Sequence, residues 1–389
     1  MLRVTIWMNM PTFYQSDLFK ALASFSEVDL EVIFARGLTE DRVELGWQPD
    51  TVGYSSRFLD SRNPIPDAMR LAWSQRDRIH VVNGLWAEPA FAAALVVLSA
   101  ARARFAIYSE APERIKFQTD TPQPPGKKIL QGLFAAIVVP RIAGVLAISH
   151  FSAEFYKGLG VREQSIYPFG YFRSKPTIAD RDRPTKDEGK IEVAFVGRLL
   201  PLKRLDLLIN VMSPLFEEYP NLYLTLIGGG EMLPDLRRQA QELGLEDRVR
   251  FEGVLSPDKI PARLARADLL VLPSRGEGWG IVVNEALSVG VPVILSDRCG
   301  AVDIIQDGVN GYVFRNGDDG DLRACLKKFL AARGDWAKFR AACVALGEKL
   351  STESVAPYMI ECLKSMTGDL GERPVPPWTQ LAVAPGAER

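Results

Sequence analysis

The chain has 389 residues, of which 47% are hydrophobic and 24% are charged, and its formal net charge is −1 at pH 7. This length exceeds what a single hydrophobic core usually serves, so two domains are expected. The near-neutral charge disfavours a nucleic-acid-binding protein, whose signature would be a strongly basic face. Two histidines and four cysteines without Cys-x-x-Cys spacing also disfavour a multi-histidine metal centre, a zinc site and a disulfide framework.

The first half of the chain alternates short apolar runs with helical segments. This alternation predicts a doubly wound α/β domain over residues 1–174. The first run begins without a basic leader or an apolar signal core, and the scattered cysteines are typical of a reducing compartment, so a cytoplasmic protein is expected. The predicted strands are Arg3–Trp7, Leu30–Ala35, His80–Val82, Arg104–Ser109 and Val145–Ser149.

One apolar stretch, Ile129–Val139, follows Lys127 and Lys128. It is too short to span a bilayer. The preferred interpretation is a buried helix that leads into the next strand. The alternative is an interfacial helix, with Lys116 also nearby, which would give the protein a peripheral contact with the cytoplasmic membrane face.

Residues 175–190 are rich in charge and contain two prolines, which is typical of an interdomain linker. The predicted second domain therefore covers residues 191–350. The last stretch, residues 351–389, is predicted to contain a helix over Glu353–Met366 and then a loosely held tail.

A pair of cations follows the first strand of the second half. This strand ends at Gly197 and delivers Arg198 and Lys203 into a loop. Arginine offers a rigid fork of donors and lysine a mobile point charge, which together suit a diphosphate and the charge it gains when a bond to it breaks. Either residue alone would be interpreted as a solvated loop cation. Their position between a strand and a helix that begins near Leu205 favours an anion site.

The next strand, Leu222–Ile227, closes in a turn that contains Gly228 and Gly229. A dinucleotide-binding fingerprint would have a further glycine where Leu233 stands, so a nicotinamide or flavin site is disfavoured. The glycines either help to enclose a ligand or only let the strand turn tightly into a helix.

Two glutamates flank a later glycine-rich turn. The apparent strand Asp268–Ser274 leads into the turn that contains Glu277, and a helix starts near Gly280 and carries Glu285. The amides at the start of the helix can receive a diphosphate. Carboxylates would repel that group, but each can accept two hydrogen bonds from a vicinal diol of ribose or a hexose. The layout therefore predicts a nucleotide-sugar site.

The segment Phe251–Tyr312, with its Glu-x7-Glu motif at Glu277 and Glu285, resembles the retaining glycosyltransferases of family four, whose fold is called GT-B. The resemblance implies two Rossmann-like doubly wound domains facing a cleft, with the acceptor bound by the first, the donor by the second, and the C-terminal helix crossing back to the first. It implies that Glu277 holds the transferred sugar, that Glu285 holds the ribose, and that Arg198 and Lys203 stabilise the leaving diphosphate. The implied donor-binding residues are Gly197, Gly228, Gly229, Val254, Gly278, Trp279, Gly280, Ile281 and Glu285.

The first half departs from the family pattern in two places. The loop Met8–Gln15 lacks the paired glycines that many members place against the donor phosphate, and Glu110 stands where many members have a histidine. Glu110 is either a catalytic residue that accepts a hydrogen bond from the donor sugar or the acceptor hydroxyl, or an exposed loop carboxylate. His80 and His150 are interpreted as structural.

The chain is therefore expected to transfer a sugar with retention from a nucleoside diphosphate sugar, preferably a UDP-sugar, to an acceptor hydroxyl in polysaccharide, glycolipid or glycoside biosynthesis. Its partners would be those two substrates and no nucleic acid, while the oligomeric state is left open. No cofactor or metal is expected, because the acidic triplet Asp180-Arg181-Asp182 lies in the linker and not after a strand. The alternatives are a nucleotide-sugar epimerase on the same architecture, a phosphorylase, or a non-catalytic nucleotide-sugar-binding protein.

Overall fold

The computed structural model describes residues 1–44, 46–112, 125–177, 189–368 and 372–380. Most of the predicted linker, the acidic triplet at 180–182, Lys116 and the predicted tail beyond residue 380 lie outside these residues. The chain divides into two compact units. The first unit comprises residues 1–174 and 351–389, and the second comprises residues 175–350.

The first unit contains a seven-stranded sheet in the order β3-β2-β1-β4-β5-β6-β7, with every neighbouring pair parallel. Sequence patterning missed the edge strands β3 and β7, which have only four residues each. The strands are β1 Leu2–Met8, β2 Val28–Phe34, β3 Ser55–Phe58, β4 Ile79–Asn83, β5 Phe105–Glu110, β6 Ile142–Ile148 and β7 Ile166–Phe169. The helices before residue 174 are α1 Phe13–Ala23, α2 Glu40–Glu44, α3 Pro64–Ser74, α4 Pro89–Ala100, α5 Pro125–Val138 and α6 His150–Gly158.

The central strands of this sheet are covered on both faces, which is why they are continuous apolar runs and do not alternate. His80 on β4 is completely buried and accepts a hydrogen bond from the Trp7 indole at 2.9 Å. Burial lowers the pKa of His80 to about 4, so its ring is neutral at pH 7. This histidine is part of the core.

Helix α5 is not the buried helix that its apolar sequence predicts. Only one side of it packs on the core, through Val138 and the partly buried Phe134 and Ala135. Ile129 and Leu130 on its other side are 65% and 69% exposed. The preferred prediction was wrong because an apolar composition does not specify which faces of a helix the neighbouring elements cover.

The second unit contains a six-stranded parallel sheet in the order β10-β9-β8-β11-β12-β13. The strands are β8 Ile191–Val196, β9 Leu222–Ile227, β10 Val249–Gly253, β11 Leu269–Leu272, β12 Val293–Ser296 and β13 Gly311–Phe314. The helices are α7 Leu205–Glu218, α8 Leu233–Glu242, α9 Ile260–Leu264, α10 Ile281–Ser288, α11 Asp319–Ala331 and α12 Trp336–Lys349.

The last helix, α13 (Thr352–Thr367), belongs to the first unit and packs against α1. It begins at a side-chain cap, where Ser351 accepts a hydrogen bond from the Ser354 amide. The Tyr358 hydroxyl donates to the carbonyl of Pro168 at 3.0 Å, and Lys364 pairs with Glu27 at 2.9 Å. These contacts attach helix α13 to β7 and to the loop before β2.

Candidate functional site

The loops that carry the predicted cations and the first predicted glutamate follow the two strands at which the sheet of the second unit reverses its strand order. Strand β8 lies between β9 and β11, so the helices that follow β8 and β11 pass on opposite faces of the sheet. The carboxyl ends of two such strands border a crevice where open α/β sheets bind ligands. Arg198 and Lys203 follow β8, and Glu277 follows β11.

The loops after β8 and β9 contact each other through their backbones. The Gly197 amide donates to the carbonyl of Ile227 at 3.0 Å, and the Leu199 amide donates to that of Gly229 at 2.8 Å. Gly228 has φ 139°, and a Cβ built there would lie 1.9 Å from the carbonyl oxygen of Gly197. Only glycine fits at position 228, because any side chain would begin inside the neighbouring backbone.

Val254, a predicted donor-binding residue, follows β10 and is 48% exposed. A Cβ built on Gly229 would lie 3.0 Å from Val254 Cγ2. The two predicted residues are therefore adjacent, at the ends of neighbouring strands. A ligand in this part of the crevice would meet backbone and a small apolar side chain.

Lys203 and Glu277 form an ion pair across 74 residues of sequence. Lys203 closes a short 3₁₀ turn over Pro201–Lys203, and the two side chains are 13% and 25% exposed. The Arg275 amide donates to the carbonyl of Leu202 at 2.8 Å, which joins the two loops through their backbones. Arg198 is partly buried in the same loop as Lys203. Lys203 thus contacts the carboxylate that was predicted to hold a sugar, and Arg198 lies in the same loop as Lys203.

The segment after β12 holds Glu277 in place, and sequence reasoning missed this role. The Glu277 amide donates to the carbonyl of Arg298 at 3.0 Å, and its carbonyl accepts from the Gly300 amide at 3.1 Å. The Ala301 amide donates to the carbonyl of Trp279 at 2.9 Å. The available signal was topological, because β12 follows a βαβ crossover from β11 and its own carboxyl end must lie beside the same loop.

Trp279 and Gly280 shape the entry to helix α10. The Trp279 side chain is only 2% exposed, and its indole donates to the Asn284 side chain at 2.8 Å. A nucleotide sugar bound at this position would therefore contact the backbone of Trp279 and not its side chain. Gly280 has φ 95° and precedes Ile281, the first residue of the helix. The predicted residues Gly278 to Ile281 thus form one turn that is held by a buried tryptophan.

Glu285 lies on α10 and is 6% exposed. A carboxylate this strongly buried is uncommon unless it is paired or hydrogen-bonded. It is the fifth of the eight residues of the helix, a little more than one turn beyond Ile281. Glu285 is therefore not a solvent-exposed glutamate on the surface of the helix.

Cys299 is a buried neighbour of Glu277. Burial, with a smaller contribution from the Glu277 carboxylate, raises the pKa of the Cys299 thiol to about 12. The thiol is therefore protonated at neutral pH and is a poor nucleophile.

Glu110 lies in the first unit, at the last position of β5. Its carboxylate accepts a hydrogen bond from the Tyr171 hydroxyl at 2.7 Å, and the Tyr14 ring packs 4.8 Å from that of Tyr171. Burial, with the nearby Glu110 charge, raises the pKa of Tyr171 well above its usual value, so the phenol stays a donor. Glu110 is thus not the exposed loop carboxylate of the alternative interpretation, whereas its contact with a substrate remains a prediction.

Comparison with known proteins gives a family match within the second unit and curated relatives that match part of the chain. Residues 177–349 match the family described as glycosyl transferases group 1. A GDP-mannose-dependent alpha-(1-6)-phosphatidylinositol monomannoside mannosyltransferase of Mycolicibacterium smegmatis is 36% identical over 146 residues, which cover 36% of this chain and 38% of that protein. A D-inositol 3-phosphate glycosyltransferase of Nocardia farcinica is 32% identical over 180 residues, which cover 44% and 40%. The chain thus spans about two fifths of the length of these curated relatives.

Solved structures share the fold over most of the chain. The Anabaena protein HepE in complex with UDP superposes with a TM-score of 0.71 at 18% identity, covering 94% of this chain and 100% of that one. Sucrose-phosphate synthase from Thermosynechococcus elongatus gives a TM-score of 0.69 at 17% identity, covering 95% and 100%. These likenesses confirm the predicted fold class of two parallel-sheet α/β domains. The chain thus has the GT-B fold, and its residues 177–349 match the family of glycosyl transferases group 1.

Proposed function

We propose that this protein is a retaining glycosyltransferase that moves a sugar from a nucleoside diphosphate sugar to an acceptor hydroxyl. The observation that carries the proposal is the Lys203–Glu277 pair at the point where the strand order reverses. A cation suited to a diphosphate and a carboxylate suited to sugar hydroxyls are adjacent there. In a nucleotide-sugar donor the diphosphate and the sugar are likewise directly bonded neighbours. The second unit would bind this donor and the first unit the acceptor.

The proposed chemistry is a front-face displacement. The acceptor oxygen attacks the anomeric carbon while the bond to the diphosphate breaks, and the leaving diphosphate takes the proton of the acceptor hydroxyl. Arg198 and Lys203 stabilise the charge that develops on the diphosphate, so we propose that no metal is needed. The step uses no enzymatic nucleophile, and the protonated Cys299 thiol beside Glu277 suits that requirement.

The donor base and sugar are part of the proposal. A UDP-sugar is the donor that the resemblance favours, and HepE was solved with UDP. The mannosyltransferase that matches 36% of this chain is named for GDP-mannose. We therefore propose a nucleoside diphosphate sugar as the class and keep GDP-mannose as the competing donor.

The first prediction is donor hydrolysis. Incubation with UDP-glucose, UDP-galactose, UDP-N-acetylglucosamine and GDP-mannose should release nucleoside diphosphate slowly from one donor without an acceptor, because water can replace the acceptor hydroxyl. Release should persist in excess chelator, since Arg198 and Lys203 supply the positive charge. Ion-pair chromatography of the nucleotides measures the release with and without the chelator. Proton NMR of the released sugar should show that the α-anomer forms first from an α-linked donor.

Three results would contradict the proposal in different ways. An epimeric donor without nucleotide release would identify an epimerase, and calorimetric binding of a donor that never turns over, with any acceptor supplied, would identify a binding protein. Complete loss of release on chelation, restored by Mg²⁺ or Mn²⁺, would disprove the metal-free mechanism.

The second prediction separates the roles of the two glutamates. Glu285→Gln should weaken binding of the nucleoside diphosphate about 10-fold to 100-fold, because the ribose diol loses charge-assisted hydrogen bonds. Glu277→Gln should lower turnover while the affinity for that product changes little, because this carboxylate contacts the sugar that is being transferred. Calorimetry with UDP and GDP, together with initial rates, measures both effects.

Glu242→Gln is the matched control, because this glutamate ends α8 away from the crevice and is exposed. It should leave binding and turnover unchanged. If Glu277→Gln lost product binding while Glu285→Gln kept it, the assigned roles would be reversed. If neither variant changed binding or turnover, the pair would have no part in the site.

A further inference from the structure

Helix α5 of the first unit presents a row of aliphatic side chains to solvent. Ile129, Leu130, Leu133 and Ile137 are 65%, 69%, 61% and 54% exposed. The spacing of Ile129, Leu133 and Ile137 is four residues, which places them on one face of the helix. The opposite face packs on the core through Val138. Exposed apolar side chains that lie together in a row can mark an interaction surface, whereas single scattered ones need no explanation.

Helix α3 repeats the same pattern. Ile65, Met69 and Trp73 also follow one another at intervals of four residues, and they are 42%, 43% and 55% exposed. The buried side of this helix contributes Ala68, Leu71 and Ala72 to the same core cluster as α5.

Helix α4 connects the two rows. It packs against α3 on one side and α5 on the other, and its outward residue Val96 is 39% exposed. All three helices contribute to one core cluster, so they form one layer over the sheet. We call the outer side of α3, α4 and α5 the apolar face. The apolar face thus combines exposed apolar side chains from three neighbouring helices.

A basic cavity adjoins the apolar face. It has a volume of about 420 Å³ and is formed where α3 and α4 lead into β4 and β5. Arg76, Arg102 and Arg104 contribute to its wall, and none of the three forms an ion pair with an acidic residue in the described ranges. The Arg76 guanidinium lies 4.8 Å from the centre of the Trp73 ring, which joins the cavity to the apolar row on α3.

The other charges of the cavity are largely compensated. Arg3 pairs with Asp77, and Arg78 pairs with Asp29 at 2.7 Å. The uncompensated charge at this edge is therefore positive. The cavity lies at the amino ends of β4 and β5, the opposite edge of the sheet from Glu110.

We propose that the apolar face docks on an anionic phospholipid bilayer, with the aliphatic rows and Trp73 in the interface and Arg76, Arg102 and Arg104 against lipid phosphates. Transfer of the apolar side chains out of water is favourable, and tryptophan is favoured at the level of the lipid headgroups. Basic residues are attracted to anionic leaflets. No helix in the described part of the chain is long and apolar enough to cross a membrane, so the protein would lie on the surface. A second copy fits less well, because a symmetric contact would bring the same arginines together.

The third prediction is tested by sedimentation with vesicles. The full chain should bind vesicles of phosphatidylcholine with phosphatidylglycerol and should bind pure phosphatidylcholine vesicles at least ~10-fold more weakly, because the arginines contribute only with anionic lipid. Leu130→Gln with Leu133→Gln should lower binding to the anionic vesicles ~10-fold or more, because two large aliphatic side chains no longer leave water. Arg102→Gln with Arg104→Gln should remove most of the preference for anionic lipid.

The matched control is Leu243→Gln with Val344→Gln, two aliphatic side chains of the second unit that are 42% and 39% exposed. It should bind vesicles like the unaltered chain. Because all the replaced side chains are exposed, thermal unfolding should stay within a few degrees and nucleoside diphosphate binding should be unchanged, which separates this proposal from the proposed function.

The proposal is overturned if the unaltered chain does not sediment with anionic vesicles, or if the Leu130 and Leu133 double variant binds them equally well. It is also overturned if analytical ultracentrifugation shows a dimer that this double variant abolishes while vesicles do not bind, because the apolar face would then contact a second copy.

Discussion

Replacing Lys203 with alanine is expected to lower turnover about 100-fold or more, the effect typical of removing one preorganised group that stabilises a developing anion. Lys203 is 13% exposed and lies in the loop that follows β8, where a diphosphate leaving group would gain charge. Arg198→Ala should have an effect of similar size. Initial rates of nucleotide release at saturating donor measure the change, and binding of the nucleoside diphosphate should fall less than turnover.

Lys203 also pairs with Glu277, so the loss must be separated from an effect on that carboxylate. A double-mutant cycle does this. If Lys203 only holds Glu277 in place, Lys203→Ala should cost nothing further in a Glu277→Gln background. If Lys203 stabilises the diphosphate, the second replacement should still lower turnover strongly.

Arg204→Ala provides the control for the loop, because the neighbouring Arg204 side chain pairs with Asp206 at 3.3 Å and not with Glu277. It should keep nearly full activity. Unchanged turnover in both Arg198→Ala and Lys203→Ala, with every donor that the unaltered protein uses, would show that the diphosphate assignment is wrong.

Gly228→Ala is expected to destabilise the second unit by ~3 kcal/mol or more, because overpacking against a rigid neighbour is costly. A Cβ at this position would lie 1.9 Å from the Gly197 carbonyl oxygen, and neither loop can retreat without breaking the hydrogen bonds that join them. The φ of 139° adds backbone strain. Urea unfolding followed by tryptophan fluorescence, with nucleoside diphosphate binding as a second signal, should show an earlier transition of the second unit.

Gly244→Ala separates the steric effect from the backbone effect. Gly244 has φ 65°, and a Cβ there would meet no atom within 4 Å. Its replacement should cost only about 1 kcal/mol, the usual penalty for a non-glycine residue with positive φ. Equal destabilisation by the two replacements would mean that the close approach of Gly197 and Gly228 does not constrain the fold.

Local patterns in the sequence predicted the elements that the fold uses. The apolar runs at β1, β4, β8 and β11 are long enough to identify strands, and the alternation of strand and helix predicts parallel sheets, because a parallel connection needs a crossover. The edge strands β3 and β7 were missed because strands of four residues carry too little periodicity. Helix α5 was predicted as a helix, but the sequence did not predict that one of its sides would remain exposed.

The sequence by itself determined the fold class and the positions of the glycine turns, the cations and the glutamates, because strand and helix periods and the conformational demands of glycine are local properties. Only the tertiary structure brought Lys203 against Glu277, placed residues 298–301 behind that loop, attached Glu110 to Tyr171, and left the outer rows of α3 and α5 uncovered. These outcomes depend on which strands become neighbours and which helix faces find a partner. Such choices minimise the free energy of the whole chain, and no short window of sequence contains them.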